Sequence, residues 1–334
     1  MSVNGGRPGW FILDSGGNSC GIDRAFARAR GLRPIQGGQS SGAGRGTVPY
    51  DLYARSVQFA VNGLSFSCDN AHVIGIDLSG QPAIIGVHVD GFIGTDFFIR
   101  HVVEIDYARR VVRVYDPATF QYAGAGCHVP MTIERRLPHI PARLTVNGTN
   151  SANRSLLVDT GSQSAVDEAW INQSANLHSG TGGVGIGQSY QTRIGRFSTA
   201  EIGCFSFTDI PGSGDGVPLV GGEVLRHFTL TFDWLHADLI MDPDAGVARS
   251  LADTGVTGLD FRAAAHGAVV IDTVSPDTPA ALAGFLAGDV LVSVDGTAAS
   301  AFEFSQLGQL FRRNRSYSLG IRRGGAASTL TLTV

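Results

Sequence analysis

Short apolar runs alternate with Gly-rich polar stretches along most of the 334-residue chain. In SVQFAVNGLSFS, apolar and polar residues alternate on both sides of Asn62-Gly63, which is typical of a β-hairpin with a tight turn. Helical spacing is scarce and is clearest in EFSQLGQLFRR, residues 303–313. The pattern therefore predicts a mainly β protein with many turns.

An internal repeat organises the first 245 residues. Each copy has a VNG turn, an apolar strand into D-[ST]-G, a Gly-rich loop beside a hairpin, and an apolar-apolar-Gly element. Each then closes with Arg-His, an Asp-aromatic pair and a strand into Asp-Pro. Corresponding residues of the two tails are offset by 126 or 127 positions. The repeat predicts two lobes of the same fold, related by a pseudo-two-fold axis.

The D-[ST]-G tripeptide occurs three times, and its context separates the copies. Asp14-Ser15-Gly16 and Asp159-Thr160-Gly161 each end an apolar strand in matched copies of the repeat. The third, Asp253-Thr254-Gly255, has no apolar-apolar-Gly element after it and is interpreted as part of a linker. A single copy would be read as an ordinary turn or cap. Two matched copies favour a functional pair.

A two-fold arrangement would bring Asp14 and Asp159 together where the lobes meet. Two carboxylates a few ångströms apart share one proton, because both cannot easily ionise. One can then act as a base towards water while the other donates a proton to a carbonyl oxygen. The residues predict a catalytic pair of this kind.

The neighbours of the two carboxylates have predicted supporting roles. Gly16 and Gly161 let the chain turn sharply, and the hydroxyls of Ser15 and Thr160 can lock the two loops. Ser162 follows the second tripeptide, and its hydroxyl is expected to donate to Asp159. The first copy has Gly17 at that place, so we expect Asp14 to hold the shared proton more often.

Residues 1 to about 245 resemble the bilobal aspartic proteases, with lobes closer to the retropepsin type than to the large pepsin type. The resemblance rests on the paired D-[ST]-G segments and on Phe92-Ile93-Gly94 and Leu219-Val220-Gly221. It implies peptide-bond hydrolysis by a water that the Asp14/Asp159 dyad activates, without metal or cofactor. The Gly-rich stretches near 37–50 and 180–190 become flap-like loops, with Tyr50 or Tyr53 as candidates for the flap aromatic.

Copy one lacks one strand that copy two has. HIPARLTVNG provides a strand before the second VNG turn, whereas copy one starts at Ser2-Val3-Asn4-Gly5. The sequence is therefore interpreted as missing an N-terminal strand of the first lobe. It also carries no export signal at its N-terminus.

Residues 256–334 resemble the PDZ domains of bacterial proteases, on the run TPAALAGFLAGDVLVSVDG. The resemblance implies that Gly258, Leu259, Asp260 and Phe261 form the carboxylate-binding loop, and that the helix within 303–313 forms one wall of a groove. Such domains capture a peptide end as an added β-strand. The alternative is a spacer with a vestigial groove.

Charge, cysteines and decoy motifs exclude several other functions. The net charge is −4 without a basic run, so no nucleic-acid partner is expected. The four cysteines lack metal-site spacing, which leaves one or two disulfides or, as the favoured reading, four buried thiols. GQSSG (38–42) and GTGGVG (180–185) match a serine-hydrolase and a dinucleotide motif, but neither joins a strand to a helix.

These inferences predict lobe one at 1–120, lobe two at 121–250 and a PDZ-like α+β domain at 251–334. The predicted function is a monomeric aspartic endopeptidase whose PDZ domain binds or positions peptide, with a polypeptide as substrate. The alternative is a catalytically inactive protease-fold protein that works through its PDZ groove. The resemblance implies that the protein is exported and is then periplasmic, secreted or tethered to a membrane.

Overall fold

The structure, a computed structural model, describes residues 1–42, 44–53, 57–68, 73–182, 190–247, 250–251, 257–304, 307, 310–311 and 313–334. These residues form a mainly β protein, as the pattern predicted. Three sequence-based predictions fall wholly or partly outside them: the linker tripeptide Asp253-Thr254-Gly255, the flap-like loop predicted near 180–190, and the helix predicted within 303–313.

The described residues of the first lobe form nine strands and three short helices. They are β1 (Ser2–Val3), β2 (Phe11–Leu13), β3 (Gly21–Asp23), α1 (Arg24–Ala29), β4 (Gln36–Ser40), β5 (Val48–Tyr53), β6 (Gln58–Val61), β7 (Leu64–Ser67), β8 (Val73–Ile76), α2 (Gln81–Ile85), β9 (Gly91–Ile93) and α3 (Thr95–Phe98). Six strands form a sheet in the order β2-β9-β3-β8-β5-β4, and β1, β6 and β7 form a smaller one. The predicted hairpin over Asn62-Gly63 is the β6–β7 pair.

The second lobe follows two strands, β10 (Val102–Asp106) and β11 (Val111–Tyr115). Its elements are β12 (Cys127–Pro130), β13 (Thr132–Glu134), β14 (Leu137–Val146), β15 (Thr149–Asn150), β16 (Arg154–Val158), β17 (Val166–Asp167), a 3-10 helix (Ala169–Gln173), β18 (His178–Gly182), β19 (Tyr190–Ile202), β20 (Phe205–Ser213), β21 (Leu219–Val220), α4 (Gly222–Leu225), β22 (Phe228–Asp233) and β23 (Asp238–Pro243). Most of these strands form one sheet, in the order β13-β14-β16-β21-β17-β20-β19-β18.

A five-stranded sheet joins the two copies of the repeat. Its order is β11-β10-β22-β23-β12, so β10 of the first copy pairs antiparallel with β22 of the second. Each of these strands follows an apolar-apolar-Gly element and ends at the Asp-aromatic pair that the repeat identified. The two tails of the repeat are therefore partners in one sheet, which fixes the lobes against each other.

The C-terminal residues form a separate sheet with its own core. Its elements are β24 (Leu259–Ala263), a 3-10 helix (Ala265–Gly267), β25 (Val269–Val274), α5 (Pro279–Leu282), β26 (Val290–Val294), β27 (Thr297–Ala298), a 3-10 helix (Ala299–Ala301), β28 (Ser316–Arg323) and β29 (Ala326–Thr333). The strand order is β24-β25-β26-β28-β29, which leaves β24 at an edge. Buried Phe285, Phe311 and Tyr317 lie in its core.

Two disulfides correct the favoured prediction of free thiols. Cys20 is bonded to Cys68 and Cys127 to Cys204, and no cysteine of the chain is free. Separations of 48 and 77 residues gave no local signal of the pairing. The second bond links β12 to the turn between β19 and β20, so it ties the joining sheet to the second lobe.

The two lobes differ beside the strands that lead into D-[ST]-G. In the second lobe, β14 pairs antiparallel with β16, with Ile140 opposite Leu156. In the first lobe, β2 is an edge strand of its sheet among the described residues. Among the described residues, none of the helices is long and apolar enough to cross a membrane.

Candidate active site

The same strand pairing holds both D-[ST]-G loops in place. β2 runs parallel to β9, and the N–H of Asp14 donates to the carbonyl of Ile93 at 2.9 Å. In the second lobe β16 runs parallel to β21, and the N–H of Asp159 donates to the carbonyl of Val220 at 3.0 Å. Each carboxylate therefore leaves its strand where the apolar-apolar-Gly element begins to turn.

The glycines of the apolar-apolar-Gly elements allow this close approach. A Cβ on Gly94 would lie 2.1 Å from the carbonyl oxygen of Ser19 and 2.5 Å from that of Gly17. A Cβ on Gly221 would lie 2.5 Å from the carbonyl oxygen of Ser164. Real contacts of that length would force the backbone apart, so only glycine lets the two segments pack here.

The hydroxyls of Ser15 and Thr160 interlock the loops across the lobe boundary. The hydroxyl of Ser15 donates to the carbonyl of Val158 at 2.6 Å and accepts the N–H of Thr160 at 3.0 Å. The hydroxyl of Thr160 donates to the carbonyl of Leu13 at 2.8 Å and accepts the N–H of Ser15 at 3.0 Å. Four reciprocal bonds fix the two loops at one relative position.

This position sets the two carboxylates against each other. A Cβ on Gly16 would lie 2.6 Å from both carboxylate oxygens of Asp159, and one on Gly161 would lie 2.7 Å from Oδ1 of Asp14. Each tripeptide glycine thus faces the carboxylate of the opposite lobe. A hydrogen bond joins the two carboxyls.

Burial and mutual repulsion change the acidity of the pair. Burial and, after it, the charge of Asp159 raise the pKa of Asp14 to about 7. Burial also raises the pKa of Asp159, but the N–H groups of Gly161 and Ser162 and the bond from Asp14 oppose that rise. Both carboxyls therefore hold a proton more tightly than an exposed aspartate does, and the two titrate as one coupled pair.

The prediction that the Ser162 hydroxyl donates to Asp159 is wrong. The hydroxyl of Ser162 lies 2.6 Å from that of Ser164 and accepts the N–H of Ser164 at 3.2 Å. It is the backbone N–H of Ser162 that donates to Asp159, at 3.0 Å. On the other side, a Cβ on Gly17 would lie 2.9 Å from Oδ2 of Asp14. Glycine is required there because a side chain would crowd the carboxylate.

Tyr50 and Tyr53, the two candidates for the predicted flap aromatic, lie in different environments. Tyr53 is only 1% exposed, so it is a core residue and is not available as the flap aromatic. Tyr50 lies on β5, opposite Gly38 on β4, and its ring covers that glycine. A Cβ on Gly38 would lie 2.6 Å from the Tyr50 hydroxyl oxygen. The hairpin therefore keeps Tyr50 as the remaining candidate.

Two further interactions between the two copies of the repeat had no signal in the sequence. Burial and the charge of Asp159 raise the pKa of Tyr107 to about 12, so its hydroxyl stays protonated near the pair. Arg45, in the loop between β4 and β5, lies 5.0 Å from the ring centroid of Tyr190, the first residue of β19. The repeat marks Tyr107 only as the aromatic of an Asp-aromatic pair, and a contact between loops has no periodicity to reveal it.

The residues predicted for the PDZ loop lie at the start of the edge strand β24. Gly258 has a φ of +77°, and a Cβ there would lie 2.0 Å from the hydroxyl of Thr278. The N–H of Leu259 donates to the hydroxyl of Thr257 at 3.1 Å, and Asp260 accepts the hydroxyl of Thr273 at 2.5 Å. The ring of Phe261 stacks on that of Phe311, with centroids 5.2 Å apart.

One group of three potential metal ligands occurs among the described residues. It consists of Cys20, Cys68 and Asp96. Both sulfur atoms belong to a disulfide and are not thiolates, so this group is not a metal site.

Models of two protein families match the two ends of the chain. Residues 1–97 match the family model described as aspartyl protease, and residues 270–323 match the model described as PDZ domain. The chain thus carries an aspartyl protease domain at its N-terminus and a PDZ domain at its C-terminus. These matches support a peptidase with a PDZ domain.

Individual relatives match shorter stretches. A protein of Pseudomonas fluorescens described as a probable periplasmic serine endoprotease DegP-like is 38% identical over 101 residues, which are 28% of this chain and 21% of that protein. The chain thus spans about a fifth of the length of this curated relative. Among solved structures, the photosystem II D1 C-terminal processing protease is 32% identical, with a TM-score of 0.21, over 23% of this chain and 22% of its own.

Proposed function

We propose that the protein is an aspartic endopeptidase in which Asp14 and Asp159 form the catalytic dyad. The observation that carries the proposal is the reciprocal packing of the two loops, in which each tripeptide glycine faces the opposite carboxylate. Interlocking hydroxyls hold this geometry, and burial raises both pKa values, so one shared proton is retained. A pair of turn residues with no catalytic role would need none of this arrangement.

The proposed reaction uses the two carboxyls in complementary roles. Ionised Asp159 takes a proton from a water, which attacks the scissile carbonyl carbon, while protonated Asp14 donates its proton to the carbonyl oxygen. A tetrahedral diol results. Asp159 then passes its proton to the leaving nitrogen, and Asp14 recovers one from a diol hydroxyl as the C–N bond breaks. The proton count balances, and no covalent intermediate forms.

The substrate would be an extended polypeptide lying between the two flap hairpins, and one chain supplies both carboxylates. A monomer is therefore sufficient for the proposed activity. We place the lobes at 1–120 and 121–250 and the PDZ domain at 251–334, with peptide as the ligand of its groove. Two disulfides favour an oxidising compartment, and the matched relative is described as periplasmic. Both support export.

The alternative is a protease fold without activity that acts through its PDZ groove. A serine-type reaction has less support, because Ser40 of the GQSSG motif ends strand β4 and donates to the carbonyl of Ser41 at 3.3 Å. Incubation of the purified chain with a denatured protein, with and without a pepstatin-type inhibitor, separates these possibilities. Cleavage that the inhibitor blocks is expected. Cleavage that resists it, or none at any pH, contradicts the proposal.

A further inference from the structure

The PDZ groove has two walls that the structure describes. One wall is β24, whose outer edge pairs with no other strand of the described residues. The other is a helical segment in which Leu307 donates to Glu303 at 3.2 Å and Phe311 donates to Leu307 at 3.1 Å. The stacked rings of Phe261 and Phe311 join the walls at the base. An extended peptide would enter between these walls.

A segment of the first lobe, residues 81–86, contacts both walls. Cα atoms of α2 lie within 8 Å of Cα atoms of β24. Gly86 ends α2 with a φ of +76°, and a Cβ on it would lie 2.5 Å from the Cβ of Phe304 on the helical wall. We call residues 81–86 the cover segment. A strand added to β24 would lie about 4.8 Å from it, within the 8 Å over which α2 already approaches β24.

The cover segment also packs towards the catalytic cleft. Ile85 packs against a small cluster of buried residues that includes Val89 and Phe92. Ile12 and Tyr50 pack against the same cluster. Ile12 lies on β2, two residues before Asp14, and Tyr50 lies on the first flap hairpin. One short segment therefore contacts the PDZ groove on one side and the supports of the cleft on the other.

We propose that the cover segment occupies the PDZ groove as an intramolecular cover, and that an extended peptide must displace it to pair with β24. Displacement withdraws Ile85 from the cluster that supports β2 and the first flap, so occupancy of the groove and the state of the cleft are linked. The link to catalysis rests on the proposed function. The cover itself does not.

Hydrogen exchange tests the cover without any ligand. Phe304→Ala removes the contact with Gly86 from the PDZ side, and Leu310→Ala removes a partly buried side chain of the same PDZ core as the matched control. In the full chain, Phe304→Ala should raise the exchange rate of the amides at 81–86 by about fivefold or more, because a five-residue helix is not stable alone. Leu310→Ala should leave that rate unchanged.

Two results would overturn the cover. One is an unchanged exchange rate at 81–86 in Phe304→Ala. The other is exchange in the unmodified chain as fast as in an unstructured peptide, since a seated segment must be protected. Equal acceleration by Leu310→Ala would show general loosening of the PDZ domain and would also count against the specific contact.

Gly86→Ala tests the link to the cleft, with Gly80→Ala as its control at the other end of α2. A Cβ on Gly86 collides with Phe304, whereas one on Gly80 meets nothing within 4 Å. Gly86→Ala should accelerate exchange at 81–86 and change the cleavage rate of a denatured protein several-fold, and Gly80→Ala should do neither. Faster exchange with unchanged cleavage overturns the link. If no variant cleaves, the proposed function is contradicted. The hydrogen-exchange rates at 81–86 then still test whether the cover segment occupies the groove.

Discussion

At the scale of single residues, glycines define the site as much as the carboxylates do. Gly16 and Gly161 make room for the opposite Asp, and Gly94 and Gly221 let the supporting elements approach. The sequence shows these positions because glycine repeats at matched places in two copies. It could not show the partner of the Ser162 hydroxyl, because that depends on a side-chain rotamer and on Ser164 nearby.

Replacement of Gly17 and of its counterpart Ser162 by alanine should have unequal effects. Gly17→Ala places a Cβ 2.9 Å from Oδ2 of Asp14 and should lower kcat/KM by about tenfold or more, because small misplacements of catalytic groups are costly. Ser162→Ala keeps the backbone donor to Asp159 and should stay within about threefold of the parent. Steady-state cleavage of one peptide by both variants checks this. A larger loss of kcat/KM in Ser162→Ala than in Gly17→Ala would show that the Ser162 hydroxyl matters more than the free space at Gly17.

Asp14 should make the folded state less stable as the pH rises. Its folded pKa of about 7 lies above the ordinary value of 3.8. The unfolded chain therefore loses the proton more easily, and stability falls between about pH 4 and pH 7. Asp14→Asn should remove part of this fall and raise the free energy of unfolding at pH 7 by on the order of 2 kcal/mol.

Urea unfolding of Asp14→Asn at pH 4 and pH 7 measures this effect. The exposed Asp116→Asn makes the same side-chain change at the surface and is the control, with little change in stability expected at either pH. An Asp14→Asn variant that is no more stable than the parent at pH 7 would show that Asp14 is not held protonated by burial.

At the scale of elements, each lobe repeats one arrangement of strands around D-[ST]-G. β3 runs antiparallel to β9 and parallel to β8, and β17 runs antiparallel to β21 and parallel to β20. The order of apolar segments in the repeat predicted equivalent lobes. It could not predict the disulfides, because cysteines 48 and 77 residues apart meet only after the sheets form. Nor could alternation along β5 decide between Tyr50 and Tyr53.

The interlocking hydroxyls should stabilise the junction of the lobes. Thr160→Val keeps the shape but leaves the carbonyl of Leu13 and the N–H of Ser15 without their partner. Such losses cost about 1–3 kcal/mol each when buried, so the free energy of unfolding and the cleavage rate should both fall. Thr160→Ser retains the hydroxyl and should stay close to the parent. If Thr160→Val and Thr160→Ser are equally stable in denaturant, the hydroxyl of Thr160 does not stabilise the junction of the lobes.

At the scale of the whole molecule, the PDZ domain contacts both lobes. The cover segment contacts it from the first lobe, and His178 on β18 lies 3.0 Å from the carbonyl oxygen of Asp277 through its Nδ1. The sequence predicted the module from a specific motif run. It could not predict this docking, because surface contacts between domains leave no periodic pattern.

A chain ending at residue 256 should fold and retain the dyad. Leu251 is buried in the large core of the lobes, whereas the PDZ residues pack in a core of their own. Circular dichroism should show cooperative unfolding of the shortened chain, and cleavage of a denatured protein should persist with altered substrate preference. A shortened chain that cannot fold would place the PDZ domain within the structural core of the protease.

The pH profile of peptide cleavage by the parent, Asp14→Asn and Asp159→Asn decides whether the two carboxyls form a catalytic dyad. The parent should be most active at acidic to mildly acidic pH and lose activity as the pair becomes fully protonated or fully ionised. Each single variant should lose activity by at least about a hundredfold at every pH, because one carboxyl cannot be base and acid in the same step. An Asp14→Asn or Asp159→Asn protein that keeps the parent's activity would contradict the dyad.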